Sequence, residues 1–149
     1  MALLPQVFSF PGFDRFSSCL AHVPFPHSMK QSLSIALRWI LFLTYAGMII
    51  SLSMQSSLPG QSRIPDKLEH ATEYFIFAIL TARTLQAPKT KHQPKNLVVA
   101  LIFCMIFAAL DEFVQSNIPG RDASLGDWIA DISGNTMAIL LLLKRSHEE

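Results

Sequence analysis

The chain has 149 residues, a net charge of +1 and no internal repeat, so it has the length of one domain and no overall electrostatic attraction to nucleic acid. Half of its residues are hydrophobic, and it carries no P-loop, G-x-G-x-x-G or G-x-S-x-G, which leaves nucleotide-binding and serine-hydrolase readings without local support. Its two cysteines, Cys19 and Cys104, fall in a proline-rich leader and in the middle of an apolar run, which offers neither a disulfide framework nor a thiolate metal site.

Residues 1–28 contain four prolines and five phenylalanines with no sustained period. Asp14 and the breaks at Pro5 and Pro11 argue against a secretory signal, whereas the text from Met29, a basic residue and then a long apolar stretch, has the form of a bacterial start. Residues 1–28 are therefore expected to be a disordered or untranslated leader, and residues 29–145 the folded domain. From Trp39 to Ser62 no Asp, Glu, Lys, Arg or His occurs over 24 positions. Residues 33–54 read as a first transmembrane helix, because about 18 mostly apolar residues suffice to cross the hydrocarbon. Ser51 and Ser53 have the small-x-small spacing of a cleavage site, but the chain runs on into further apolar segments, and an uncleaved anchor is the expectation.

Three more spans are expected, at about 66–86, 96–115 and 125–143, each reaching spanning length only by including acids. Pro65 suits the first turn of the second span, where its missing N–H costs nothing. The third opens on the uncharged run "NLVVALIFCMIFAAL" and ends in Asp111 and Glu112. Then "SNIPGRDASLG" turns the chain, with a bend at Pro119-Gly120. Ser124 is placed to cap the fourth helix, and Asp127 falls in its first turn, where negative charge opposes the helix dipole favourably. Uncharged runs of 10–15 residues also occur in buried helices of soluble bundles, so the placement of charge has to decide.

With the N-terminus inside, the inner side holds Lys30, Arg38, Arg83, Lys89, Lys91, Lys95, Lys144 and Arg145, against Arg63, Lys67 and Arg121 outside. Cytoplasmic enrichment of Lys and Arg sets orientation, so the expected architecture is an all-α integral membrane bundle of four transmembrane helices with both termini cytoplasmic. The acids are skewed the other way: Asp66, Glu69, Glu73, Asp111, Glu112, Asp122, Asp127 and Asp131 all fall at or near the outer side. Acids contribute little to topology, so this clustering calls for another cause.

Helical spacing puts Asp66, His70, Glu73 and Phe77 on one face, with Tyr74 bordering it. It puts Cys104, Ala108, Asp111 and Gln115 on a second face, with Glu112 beside them, and Asp127, Asp131, Gly134 and Ala138 on a third. Gly134 and Ala138 form a small-xxx-small pair that permits close helix contact. Ionisable groups within spans are costly and normally face a bundle interior or a wet cavity. Clustered carboxylates repel unless cations intervene; Lys67, His70 and Arg121 are the protein cations at hand, and a divalent cation is the other candidate, oxygen-rich sites suiting magnesium, calcium or manganese. The plain alternatives are an Arg121 ion pair that pins a loop, a structural His70, and two acids four apart that mean nothing by themselves.

"DKLEHATEY", followed at a distance by "DEFVQSNIPGRDASLGDWIADISG", resembles the VanZ-like family of bacterial integral membrane proteins over roughly residues 29–144. The family pattern has an Asp-Lys followed by a His and a Tyr, which here are Asp66, Lys67, His70 and Tyr74. Later come an acid-Glu pair, a Gln, an Arg, a Ser, an Asp and a Gly, here Glu112 (after Asp111), Gln115, Arg121, Ser124, Asp127 and Gly134. Asp131 departs from it, standing where the family often has Asn. The resemblance implies a multi-pass protein of the bacterial cytoplasmic membrane with an outward-facing polar site and a role in envelope or teicoplanin-type glycopeptide response; it supplies no reaction. The expected partners are the lipid bilayer and a polar, lipid-linked or anionic envelope ligand, with no nucleic acid. A competing expectation is a metal-dependent membrane enzyme acting on a phosphorylated lipid or cell-wall intermediate, since Gly126-Asp127-x-x-x-Asp131 resembles part of the membrane alcohol phosphotransferase motif, although the rest of that motif is missing.

Overall fold

A computed structural model describes residues 27–55, 66–86, 93–119 and 124–148. Among the described residues the regular structure is entirely helical: α1 (His27–Ser53), α2 (Asp66–Thr84), α3 (Pro94–Gln115) and α4 (Leu125–Glu148). The expected leader up to residue 26, Cys19, Pro65, Gly120 and Arg121 lie outside the described residues. The chain divides into the units Met1–Ser34 and Ile35–Glu149, and the helix packing described here is internal to the second.

The helix boundaries differ from the expected spans. Helix α1 begins at His27 rather than near residue 33, within the stretch assigned to the leader, and α4 runs to Glu148 rather than ending near 143. The physical reason is that a span is delimited by hydrocarbon thickness, whereas a helix continues through Ser, Lys and Arg as long as its backbone bonds close. Ser28–Ser53 and Pro94–Gln115 are long and apolar enough to cross a membrane. Helices α2 and α4 fall short of that measure; α2 opens with Asp66, Lys67, Glu69 and Glu73, and α4 with Asp127 and Asp131. Composition thus supports two membrane-crossing helices, and the expected four need support of another kind. A core helix of a soluble protein would be buried over most of its length, but only 28% of the apolar window of α3 is buried.

Local sequence explains where the helices start and stop. Pro94 opens α3 behind an extended Gln93, where a missing N–H is harmless. The α4 start is capped by Ser124, whose Oγ accepts the Gly126 N–H at 3.1 Å. The far end of α2 is closed by Arg38 of α1: its Nη1 donates to the carbonyls of Arg83 (3.1 Å) and Gln86 (3.0 Å). A guanidinium at a helix C-terminus satisfies orphan carbonyls and complements the dipole there.

Small residues set the spacing. On α3, Ala100, Cys104 and Ala108 form a fully buried stripe one residue wide. Against it pack Tyr74, Phe77 and Ala78 of α2 and Ala138 and Ile139 of α4. An aromatic cluster closes the middle: Phe77 and Phe107 have ring centroids 4.6 Å apart, and Phe42 stacks on Phe77 at 5.6 Å. The tightest approach is between α2 and α4, where Gly134 lies directly over the backbone of Ala71. A Cβ on Gly134 would be driven into the Ala71 carbonyl oxygen, and a backbone atom in a helix cannot swing aside. Gly134→Ala should therefore destabilise the fold by about 1–3 kcal/mol, as overpacking does. Gly47→Ala, where an added Cβ meets nothing within 4 Å, should cost nothing. Thermal unfolding of both variants in detergent checks the contrast.

Candidate functional site

The first turns of α2, the last turn of α3 and the first turns of α4 meet at one end of the packed helices. Two cation–carboxylate contacts join α2 to α4, one turn apart. Lys67 Nζ meets Asp127 Oδ1 at 2.9 Å, and His70 Nδ1 meets Asp131 Oδ1 at 3.0 Å. Their surroundings differ: the Lys67 side chain is 64% exposed, whereas that of His70 is 12% exposed and that of Asp131 is fully buried. An ionised carboxylate only accepts, so the imidazole Nδ1 is the donor in the second contact. Helix α3 joins through Glu112, whose Oε2 accepts the Ser124 backbone N–H at 3.0 Å and so ties the end of α3 to the start of α4.

A turn further along α3, Gln115 Nε2 donates to Asp111 Oδ2 (3.1 Å) and to Ser53 Oγ of α1 (3.4 Å). Tyr45 of α1 donates its hydroxyl to the Glu73 carbonyl at 3.2 Å. A cleft of about 470 Å³ opens here, lined among others by Tyr45, Ser53, His70, Glu73 and Gln115. His70 thus borders both the cleft and the buried Asp131.

Several buried polar atoms near this end have no hydrogen-bond partner among the described residues: Tyr74 Oη, Asp111 Oδ1, Glu112 Oε1, Asp131 Oδ2 and both polar atoms of the Asn135 amide. A buried unsatisfied polar group costs about 1–3 kcal/mol, more if charged, so a folded protein keeps such a set only where something answers it.

The structure brings together Lys67, His70, Glu112, Ser124, Asp127 and Asp131, with Asp111 and Gln115 next to them and Tyr74 beneath. Asp66 is exposed, yet its carboxylate lies within 4.8 Å of donor atoms on His70 and Asp127. Arg121 lies outside the described residues. Of the face expected on α2, Phe77 is fully buried, His70 is mostly buried and Glu73 lines the cleft, while Asp66 is exposed; burial also takes in the bordering Tyr74, with Ala78 and Thr81. Spacing identified residues that share a face, and the close packing of α4 at Ala71 and Gly134 extends burial to its Tyr74 border. The residue missed from sequence is Asn135, fully buried one turn beyond Asp131. Its signal was present in the strict four-residue spacing Asp127, Asp131, Asn135. Ser124 occupies the α4 cap, and its backbone N–H, not its hydroxyl, contacts Glu112.

Compared with protein-family models, with curated proteins and with solved structures, the chain matches none.

The two cation–carboxylate contacts should respond differently to truncation. His70→Ala leaves a fully buried Asp131 without its donor, which should cost about 3–5 kcal/mol. His70→Ala combined with Asp131→Asn removes the stranded charge and should recover part of that loss. Lys67→Ala exposes its partner to water and should leave the melting temperature near that of the wild type. Equilibrium unfolding of the three variants in one detergent measures the order.

Proposed function

We propose that the chain is a VanZ-like multi-pass membrane protein of the bacterial cytoplasmic membrane. Its four helices cross with both termini inside, and its outer end binds a polar or lipid-linked anionic ligand of the envelope. The observation that carries this reading is an inside-out distribution of side chains. At the shared helix end, Asp111, Glu112, Asp127, Asp131 and Asn135 are buried, while Val98, Val99, Ile102, Ile106, Leu110 and Phe113 of α3 are more than half exposed. On α4, Ile129, Met137, Leu140 and Leu141 are likewise more than half exposed. Water would make that arrangement unfavourable on both counts, whereas hydrocarbon outside and a polar interior make it favourable on both.

Helix α4, too polar to qualify as a span by composition, turns Asp127 and Asp131 inward, and α2 turns His70 toward them, which is how a span tolerates ionisable residues. The basic residues favour a cytoplasmic side that holds Arg38, Lys95 and Lys144, and thus an outward site. Lys67, His70 and, from its place in the sequence, Arg121 are the groups that would receive an anionic headgroup. The VanZ-like motif residues Asp66, Lys67, His70, Tyr74, Glu112, Gln115, Arg121, Ser124 and Asp127 are those this reading assigns to the site, together with Glu73, Asp111 and Asp131.

Topology is tested with single cysteines at Gln93 and Asn117 in a background lacking Cys19 and Cys104. A membrane-impermeant maleimide on intact cells should label Asn117→Cys and spare Gln93→Cys; the reverse pattern overturns the orientation, and labelling of both overturns the span count. For the ligand role, Arg121→Ala and Glu112→Ala should insert normally, since insertion follows the apolar helices. Expression of the wild type should change glycopeptide susceptibility and expression of either variant should not; no change with the wild type overturns the envelope role, and a wild-type phenotype in both variants would remove the site from the function.

A further inference from the structure

Among the buried residues at this helix end are four carboxylates, Asp111, Glu112, Asp127 and Asp131. The described cations in contact with them are Lys67 on Asp127 and His70 on Asp131. If all four are ionised, these described contacts leave two of the four charges unmatched. The deficit is localised. Glu112 Oε2 takes the Ser124 N–H and Asp131 Oδ1 takes His70, which leaves Glu112 Oε1 and Asp131 Oδ2 buried and without donors. Glu112 is 9% exposed and Asp131 fully buried. Donor atoms of His70, Glu112 and Asp131 lie within 4.8 Å of one another. Three atoms at the corners of a 4.8 Å triangle lie about 2.8 Å from its centre, so inward side-chain shifts of about 0.7 Å or less would bring all three to the roughly 2.1 Å of a metal–ligand bond.

We propose that His70, Glu112 and Asp131 form a binding site for one divalent transition-metal cation, with His70 and the two donorless carboxylate oxygens as its protein ligands. A ligating His70 is a neutral imidazole, so the Nδ1 proton it donates to Asp131 is released as the ion binds; of the four carboxylate charges Lys67 and the ion then offset three, and the ion answers the buried oxygens. An imidazole beside two carboxylates favours zinc, iron or manganese over magnesium, which prefers oxygen ligands and gives up water reluctantly. The neighbouring trio of Asp66, His70 and Asp127 is the weaker host: Asp66 is exposed and Asp127 already holds the Lys67 ammonium. The metal reaches its site from the cleft, which His70 lines. The reach of α2, α3 and α4 into one coordination sphere makes the ion a cross-link of three helices. This inference deepens the ligand-site reading and rests on it only for the site's biological role; metal binding is measured without any phenotype, so each can fail alone.

The test uses the full chain, purified in detergent with its affinity tag removed and stripped with a chelator, and titrated calorimetrically with Zn²⁺, Mn²⁺ or Mg²⁺ alone. One equivalent of Zn²⁺ should bind, Mn²⁺ more weakly and Mg²⁺ at least 100-fold more weakly than Zn²⁺. Glu112→Gln, which keeps an acceptor for the Ser124 N–H, should weaken Zn²⁺ at least tenfold, and Asp131→Asn should do the same. Should Asp131→Asn fail to fold, Glu112→Gln decides by itself. Absence of stoichiometric Zn²⁺ binding, an unchanged affinity in Glu112→Gln, or Mg²⁺ binding as tight as Zn²⁺ overturns the proposal. So does a loss confined to Asp66→Asn, which would put the ion in the exposed trio.

Discussion

The close approach of α2 and α4 at Ala71 and Gly134 is the constraint on which the rest depends. Because no side chain separates the two backbones there, residues one turn away on each helix are brought within hydrogen-bond reach. His70 immediately precedes Ala71 and Asp131 lies three residues before Gly134, and their contact at 3.0 Å follows from that spacing. Lys67 and Asp127 lie one turn further along both helices and meet at 2.9 Å. A wider interhelical distance would leave short carboxylates out of reach, and the buried Asp131 would have no donor at all.

The third helix enters this arrangement through its small stripe of Ala100, Cys104 and Ala108. Flat packing along that stripe lets α3 lie against both neighbours, so that its last turn delivers Asp111, Glu112 and Gln115 to the same end. The unequal treatment of the acids there has a chemical consequence. Asp127 is neutralised by an ammonium in contact with water, which is cheap to form and cheap to lose. Asp131 is matched by an imidazole away from water, which is costly to disrupt, and Glu112 is answered on one oxygen by a backbone N–H alone. Polarity is therefore concentrated on the side of the cluster that faces the protein interior. This is the opposite of an ordinary water-soluble surface, where charges are solvated and interiors apolar.

Helix α1 has a different relation to the rest. It touches the other helices through side chains with particular roles: Arg38 at the end of α2, Phe42 in the aromatic cluster, Tyr45 on the Glu73 carbonyl and Ser53 under Gln115. Such a helix can close one wall of the cleft without filling it. The cleft beside His70 exists because α1 meets α2 by these discrete contacts and not by a continuous small-residue seam.

The helices, their order and the apolar runs were legible in the sequence, because uncharged length and Pro, Ser and Gly punctuation act locally on the backbone. The sharing of faces by Cys104, Ala108, Asp111 and Gln115, and by Asp127 and Asp131, was legible for the same reason: 3.6-residue periodicity is a local property. How far burial extends around α2 was not, since Asp66, Glu73 and Tyr74 all satisfy the period within one step, and only packing leaves Asp66 exposed and Tyr74 fully buried. Nor were the partners: the sequence places Lys67, His70, Asp127 and Asp131 on two helices 60 residues apart, and nothing local pairs Lys67 with Asp127 and His70 with Asp131. The burial of Asn135 was equally hidden, because an amide on a helix costs nothing until a neighbour removes its water. Residue types and their local spacing are a property of the chain alone; who answers each charge is decided by distances that exist only once the helices have packed.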